Sequence, residues 1–250
     1  MLAEFFLVSI GLGVGIFSFL ADTKATGAGF LKVVAGLCGA SLLLGLILHL
    51  TYGAVFDPLS KIYYIAIFAF ALTYFFHKDD KSWFMWVLFL IQNLSLTFLL
   101  FKMNNGNLEH FLFAFTSIMM LGSVTYAMVM GHWYLVTPKL SENPLKYALY
   151  FSWIFLAIKM GWTIFGYLEQ PDFFIQGTTD GGGYAFNWMM LTMRIGWGYV
   201  VLGIMSIFAY RLVAMRSIQS ATGMLYAMTF FVFVSELISN YMFLEYGLQI

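Results

Sequence analysis

The chain has 250 residues, 62% hydrophobic and 10% charged, with twelve basic side chains balanced by twelve acidic ones. A soluble domain carries about a quarter charged residues, so at a mean hydropathy of +0.85 most of the surface needs lipid as its solvent. Zero net charge argues against nucleic acid or a highly charged partner.

The length suits one compact unit covering 1–250. Twenty-eight Phe, fifteen Tyr and seven Trp suit a lipid-facing surface with aromatic belts at the headgroups. A span needs roughly 20 apolar residues. Eight stretches meet this within a few residues: 3–20, 31–53, 60–77, 83–101, 109–135, 146–168, 186–210 and 222–245. The third is the shortest. The first carries Glu4 and no basic residue at its start, unlike a secretory leader, and is read as a span. No segment alternates as a barrel strand does. The expected fold is an all-α polytopic transmembrane bundle of about eight spans.

Between spans lie polar turns such as Lys78–Lys81 and Lys102–Asn107. With eight spans, loops one, three, five and seven share one side. They hold Lys24, Lys32, Lys78, Lys81, Lys139, Lys146, Arg211 and Arg216, against Lys61 and Lys102 on the side of the termini. Basic loops stay in the cytoplasm, so both termini are expected to be non-cytoplasmic. A cysteine placed at Thr178 should then react with a membrane-impermeant maleimide on intact cells, and one at Ser141 only after permeabilisation. Reversed labelling would overturn the orientation, and equal labelling would mean a miscounted span.

Small residues cluster at Gly11, Gly13 and Gly15, at Ala35, Gly36, Gly39 and Ala40, and at Gly196, Gly198 and Gly203. They invite close helix contacts. No internal repeat is visible. Cys38, the single cysteine, lies in an apolar run and reads as a packing residue. The longest loop, 169–184, holds Glu169, Asp172 and Asp180 and the run Gly181-Gly182-Gly183, and reads as a solvated connector or a site cover. In span four Gln92 and Asn93, and in span eight Ser235, Ser239 and Asn240, read as interhelical hydrogen-bonding groups. The run 130–138, Met-Gly-His-Trp-Tyr-Leu-Val-Thr-Pro, ends span five at Pro138 and resembles stretches of bacterial membrane proteins. The resemblance implies a bacterial inner (cytoplasmic) membrane and no particular function.

Ionisable groups deep in a bilayer are costly and mark functional sites. Three stand out: Lys159 in span six, Arg194 in span seven and Glu236 in span eight. They are expected at similar depth in the half nearer the termini, as one ion pair and one spare positive charge for an anionic group. The four histidines form one pair per side: His49 and His110 near the termini side, His77 and His132 near the other. Imidazole is the usual axial ligand of a b-type haem (heme b). His110 and His132 lie 22 residues apart and fall within about 40° of one face, with Ser117, Leu121 and Met128 on the same stripe. In span two Gly45, one turn from His49, leaves room for a macrocycle.

These features lead to an expectation of membrane electron transfer, as a cytochrome b or the membrane subunit of a quinone-linked redox complex. His49 and His110 would ligate the metal. Lys159 and Arg194 would meet its propionates or a quinone, and Glu236 would balance charge. His77 and His132 would serve a second haem. The alternatives are a small transporter or channel built on Lys159, Arg194 and Glu236, or an accessory subunit without chemistry among other membrane subunits or copies of itself. No phosphate loop, HExxH, GxSxG or CxxC is present. The sixteen methionines are scattered and read as packing.

Overall fold

A computed structural model describes residues 1–250 except Ala28, Ala54, Asp80 and Pro138. All eight expected spans are helices long and apolar enough to cross a bilayer. They are α1 (Leu2–Leu20, its last turn 3-10), α2 (Phe30–His49), α3 (Pro58–Phe76), α4 (Trp83–Met103), α5 (Leu108–Val136), α6 (Asn143–Glu169), α7 (Tyr184–Ala214) and α8 (Ile218–Tyr246). No β-strand occurs among the described residues. The helix boundaries follow local chemistry. Asp57, Ser82 and Asn107 accept backbone N–H bonds from Ser60, Met85 and His110 and start α3, α4 and α5. Gly247, at φ 73°, ends α8. Pro138, expected to stop α5, lies outside the described residues, as does Asp80 in the 78–81 turn.

The helices pack as two closed rings of four. In the first ring α1 touches α2, α2 touches α3, α3 touches α4, and α4 returns to α1. In the second the same order joins α5, α6, α7 and α8. The rings meet along α1 and α5, flanked by α4 against α5 and α1 against α8. The contact order therefore repeats every four helices, although no repeat is visible in the residues. Because they form the seam, α5 and α1 are 78% and 61% buried over their most apolar windows, whereas α2, α3, α4, α6 and α7 are 28–39% buried. The peripheral helices turn Ile47, Phe68, Leu94 and Ile164 outward.

The seam is closest where two glycines cross. A Cβ built on Gly122 would lie 2.4 Å from the Cα and carbonyl carbon of Gly13, and one on Gly13 would lie 2.6 Å from the carbonyl oxygen of Ile118. In lipid no hydrophobic force draws helices together, so close backbone packing of this kind takes its place. Around the crossing Phe30 packs edge-on to Tyr126 at 5.6 Å, and Trp133 Nε1 donates to the Thr26 carbonyl. Cys38 is fully buried in the same core.

A candidate anion site inside the second ring

Every helix of the second ring sends polar side chains to one level. Ser117 stands nine residues into α5, and Arg194 ten into α7. Lys159 and Glu236 stand ten residues before the ends of α6 and α8. At 1.5 Å per residue each is about 15 Å from the termini side, near the middle of a hydrocarbon core about 30 Å thick. Arg194 Nη1 donates to Glu236 Oε1 at 2.8 Å and to Ser235 Oγ at 2.5 Å. Lys159 Nζ donates to Ser117 Oγ at 2.8 Å and Ser239 Oγ at 3.2 Å, and sits 3.6 Å from the centre of the Phe113 ring. Lys159, Arg194 and Glu236 are 0%, 1% and 1% exposed. The expected cluster of the three is thus present, with one refinement. The ion pair is Arg194–Glu236, while Lys159 is held by hydroxyls and an aromatic face, with no carboxylate partner among the described residues.

The backbone of α7 is shaped for this site. From Gly196 to Val201 it widens into a π-helix. In a regular α-helix, Arg194 and Tyr199 would point about 140° apart. The wider turn returns both to the ring interior, where the Tyr199 ring lies 4.8 Å from the Arg194 guanidinium carbon. Tyr199 OH also meets Thr163 Oγ1 at 2.5 Å and donates to the Lys159 carbonyl at 3.0 Å. Gly198 lets α7 approach α8, since a Cβ there would lie 1.9 Å from Ser235 Oγ.

The pair leaves three buried atoms with no hydrogen-bond partner among the described residues: Arg194 Nε, Arg194 Nη2 and Glu236 Oε2. Nε and Nη2 form one edge of the guanidinium, the fork that grips a carboxylate through two parallel hydrogen bonds. Leaving such donors empty in a low dielectric is expensive.

The histidines are arranged differently from the expected pairs. Both nitrogens of His49 face carboxylates: Nδ1 is 2.9 Å from Glu4 Oε1, and Nε2 is 3.2 Å from Asp57 Oδ2. The space beside Gly45 is filled by Tyr63, which would lie 3.5 Å from a Cβ there. His110 belongs to the second ring, edge-on to Phe243 at 5.1 Å, beside a cleft that it lines with Glu109, Glu169 and Gln249. His49 and His110 therefore sit in different rings, and the residues around them do not fit a shared haem. On the other side His77 is half-buried at the end of α3, its Nδ1 2.8 Å from the Tyr74 carbonyl. His132 is exposed and pairs with Tyr226 OH at 2.8 Å. Those two share no contact either among the described residues.

The 169–184 loop is pinned rather than loose. Buried Asn187 donates to the carbonyls of Phe173 and Asp180 at 2.7 and 2.9 Å and accepts from the Gly182 amide at 3.2 Å. Sequence reasoning passed over Glu4, Asp57, Tyr63, Asn187 and Tyr199 as functional groups. An acidic residue inside a span was a usable signal for Glu4; nothing in the residues announced the π-helical turn that turns Tyr199 inward.

The chain is thus an integral-membrane bundle with eight spanning helices among the described residues and a charged, buried centre, and comparison with protein-family models, curated proteins and solved structures finds no match.

Proposed function

We propose that the chain is a membrane transporter for a small carboxylate-bearing solute, bound in the second ring by Arg194. The supporting observation is the unpartnered Nε–Nη2 fork, held by Glu236 and Ser235 from behind and enclosed at mid-membrane. Lys159 supplies a second positive group, and the formal charge of the three residues is +1, which a monocarboxylate would neutralise. Access is closed in this state. Between the cleft beside His110 and the Lys159 ammonium stand two rings, Phe243 and Phe113, with centroids 4.8 Å apart. A closed site behind aromatic rings suits alternating exposure better than an open channel. The working location is a bacterial cytoplasmic membrane with both termini outside.

The test is uptake of labelled acetate, lactate and succinate by vesicles containing the purified protein. At least one is expected to enter well above the rate of protein-free vesicles. Arg194→Gln, measured on protein that remains monodisperse, should fall to that background. Arg194→Lys should do the same, because an ammonium is a point charge without a fork. Uptake of none of the three would overturn the carboxylate reading. A visible α band in the purified protein that disappears in His49→Gln or His110→Gln would instead favour electron transfer.

A further inference from the structure

The first ring holds its own enclosed polar cluster, on the termini side, independent of what the second ring binds. Glu4 opens α1, His49 closes α2, and Tyr63 lies in the second turn of α3, so three helix ends converge there. Glu4, His49 and Tyr63 are 4%, 5% and 0% exposed, whereas the Asp57 side chain is 26% exposed. Glu4 receives three contacts: His49 Nδ1 and Tyr63 OH, each at 2.9 Å from Oε1, and Tyr52 OH on Oε2. Two of these are phenol donors, so its oxygens are arranged as those of an ionised carboxylate. Asp57 Oδ1 accepts the Ser60 amide at 2.5 Å. That bond, aided by the Ser60 hydroxyl and by His49, holds the Asp57 carboxyl below its usual value. The titratable groups facing His49 are Glu4 from α1, Tyr52 and Asp57 from the α2–α3 loop, and Tyr63 from α3.

A protonated ring nitrogen can donate to a carboxylate that faces it, and His49 faces one on each side. We propose that Glu4, His49 and Asp57 form a proton-binding site in which His49 stores one proton between two carboxylates and exchanges it with water through Asp57. Loading balances simply. Asp57 takes a proton from hydronium at the surface, leaving water, and passes it to Nε2 of the neutral ring, whose Nδ1–H already donates to Glu4. Asp57 returns to carboxylate, and the ring becomes imidazolium. Release is the reverse, with no other atom or electron moving. The buried Glu4 carboxylate anchors the stored charge, and the exposed edge of Asp57 is the way out.

The test is nitrogen NMR of histidine-labelled protein in lipid nanodiscs from pH 5 to 9, with the His49 signals assigned by His49→Gln. Across that range His49 is expected to show two states, one with both ring nitrogens protonated and one with Nδ1 alone protonated, in exchange with water. Asp57→Asn keeps the helix cap, since Asn and Asp cap equally well, and is expected to slow the exchange of the Nε2 proton with water, because the carboxylate that relays it is gone. Asp57→Glu keeps the carboxylate and is expected to retain the exchange. Unchanged His110 and His132 signals report an intact fold. A His49 ring that nowhere in this range carries both protons, or identical proton exchange in Asp57→Asn, would overturn the proposal.

Discussion

Glu236→Gln is expected to destabilise the folded protein by about 3–5 kcal/mol, the usual cost of removing one partner from a buried ion pair. The carboxylate is the sole anion within reach of Arg194 among the described residues, and Gln can return a hydrogen bond but no charge. Arg194→Met should cost a similar amount by leaving Glu236 alone. The double variant Arg194→Met/Glu236→Met should cost clearly less than the two singles added, because it strands no charge. Lys159→Met should rescue Glu236→Gln less well than Arg194→Met does, since Lys159 is bonded to Ser117 and Ser239 instead of to Glu236. Denaturation in mild detergent, read by circular dichroism, gives all of these values. A Glu236→Gln protein as stable as the native one would mean that the pair is not desolvated.

Gly122→Ala is expected to be strongly damaging for a single-methyl change. Its Cβ would lie 2.4 Å from the Gly13 backbone, and neither atom it meets belongs to a side chain that can rotate away. The two rings must separate there, and overpacking of this kind costs roughly 1–3 kcal/mol or more. Gly13→Ala should behave alike, against the Ile118 carbonyl. Gly161→Ala is the control, since a Cβ there meets nothing within 4 Å. The same denaturation measurement decides it. If Gly122→Ala and Gly161→Ala melt together, the close crossing of α1 and α5 is wrong.

The spans were legible because lipid permits one solution for a long apolar segment, a helix that satisfies its own backbone. All eight appear, although α2 ends at His49 where the apolar run continues to Gly53. Arg194, Glu236 and Lys159 were legible for a related reason: a charge at that depth needs company. The histidine pairing was not, because helical periodicity fixes which face a residue occupies and says nothing about which helix lies opposite. Ser117 shows the difference. It was placed on the face of His110 and His132, and that face turns out to meet Lys159 rather than a histidine of α2. His49 was matched to His110 by depth alone, while its partners, Glu4 and Asp57, were nearer in the fold and carried the complementary charge.

The crossing of Gly13 and Gly122 has a mechanical side. Helices usually lock because the ridges of one sit in the grooves of the other, and a tilt must lift side chains out of their slots. At this level of the seam neither helix has a ridge to offer, and backbone rests on backbone. Such a contact resists separation strongly and tilting weakly. The two rings are joined there by main chain against main chain, so a tilt of α1 on α5 lifts no side chain from a slot at this level.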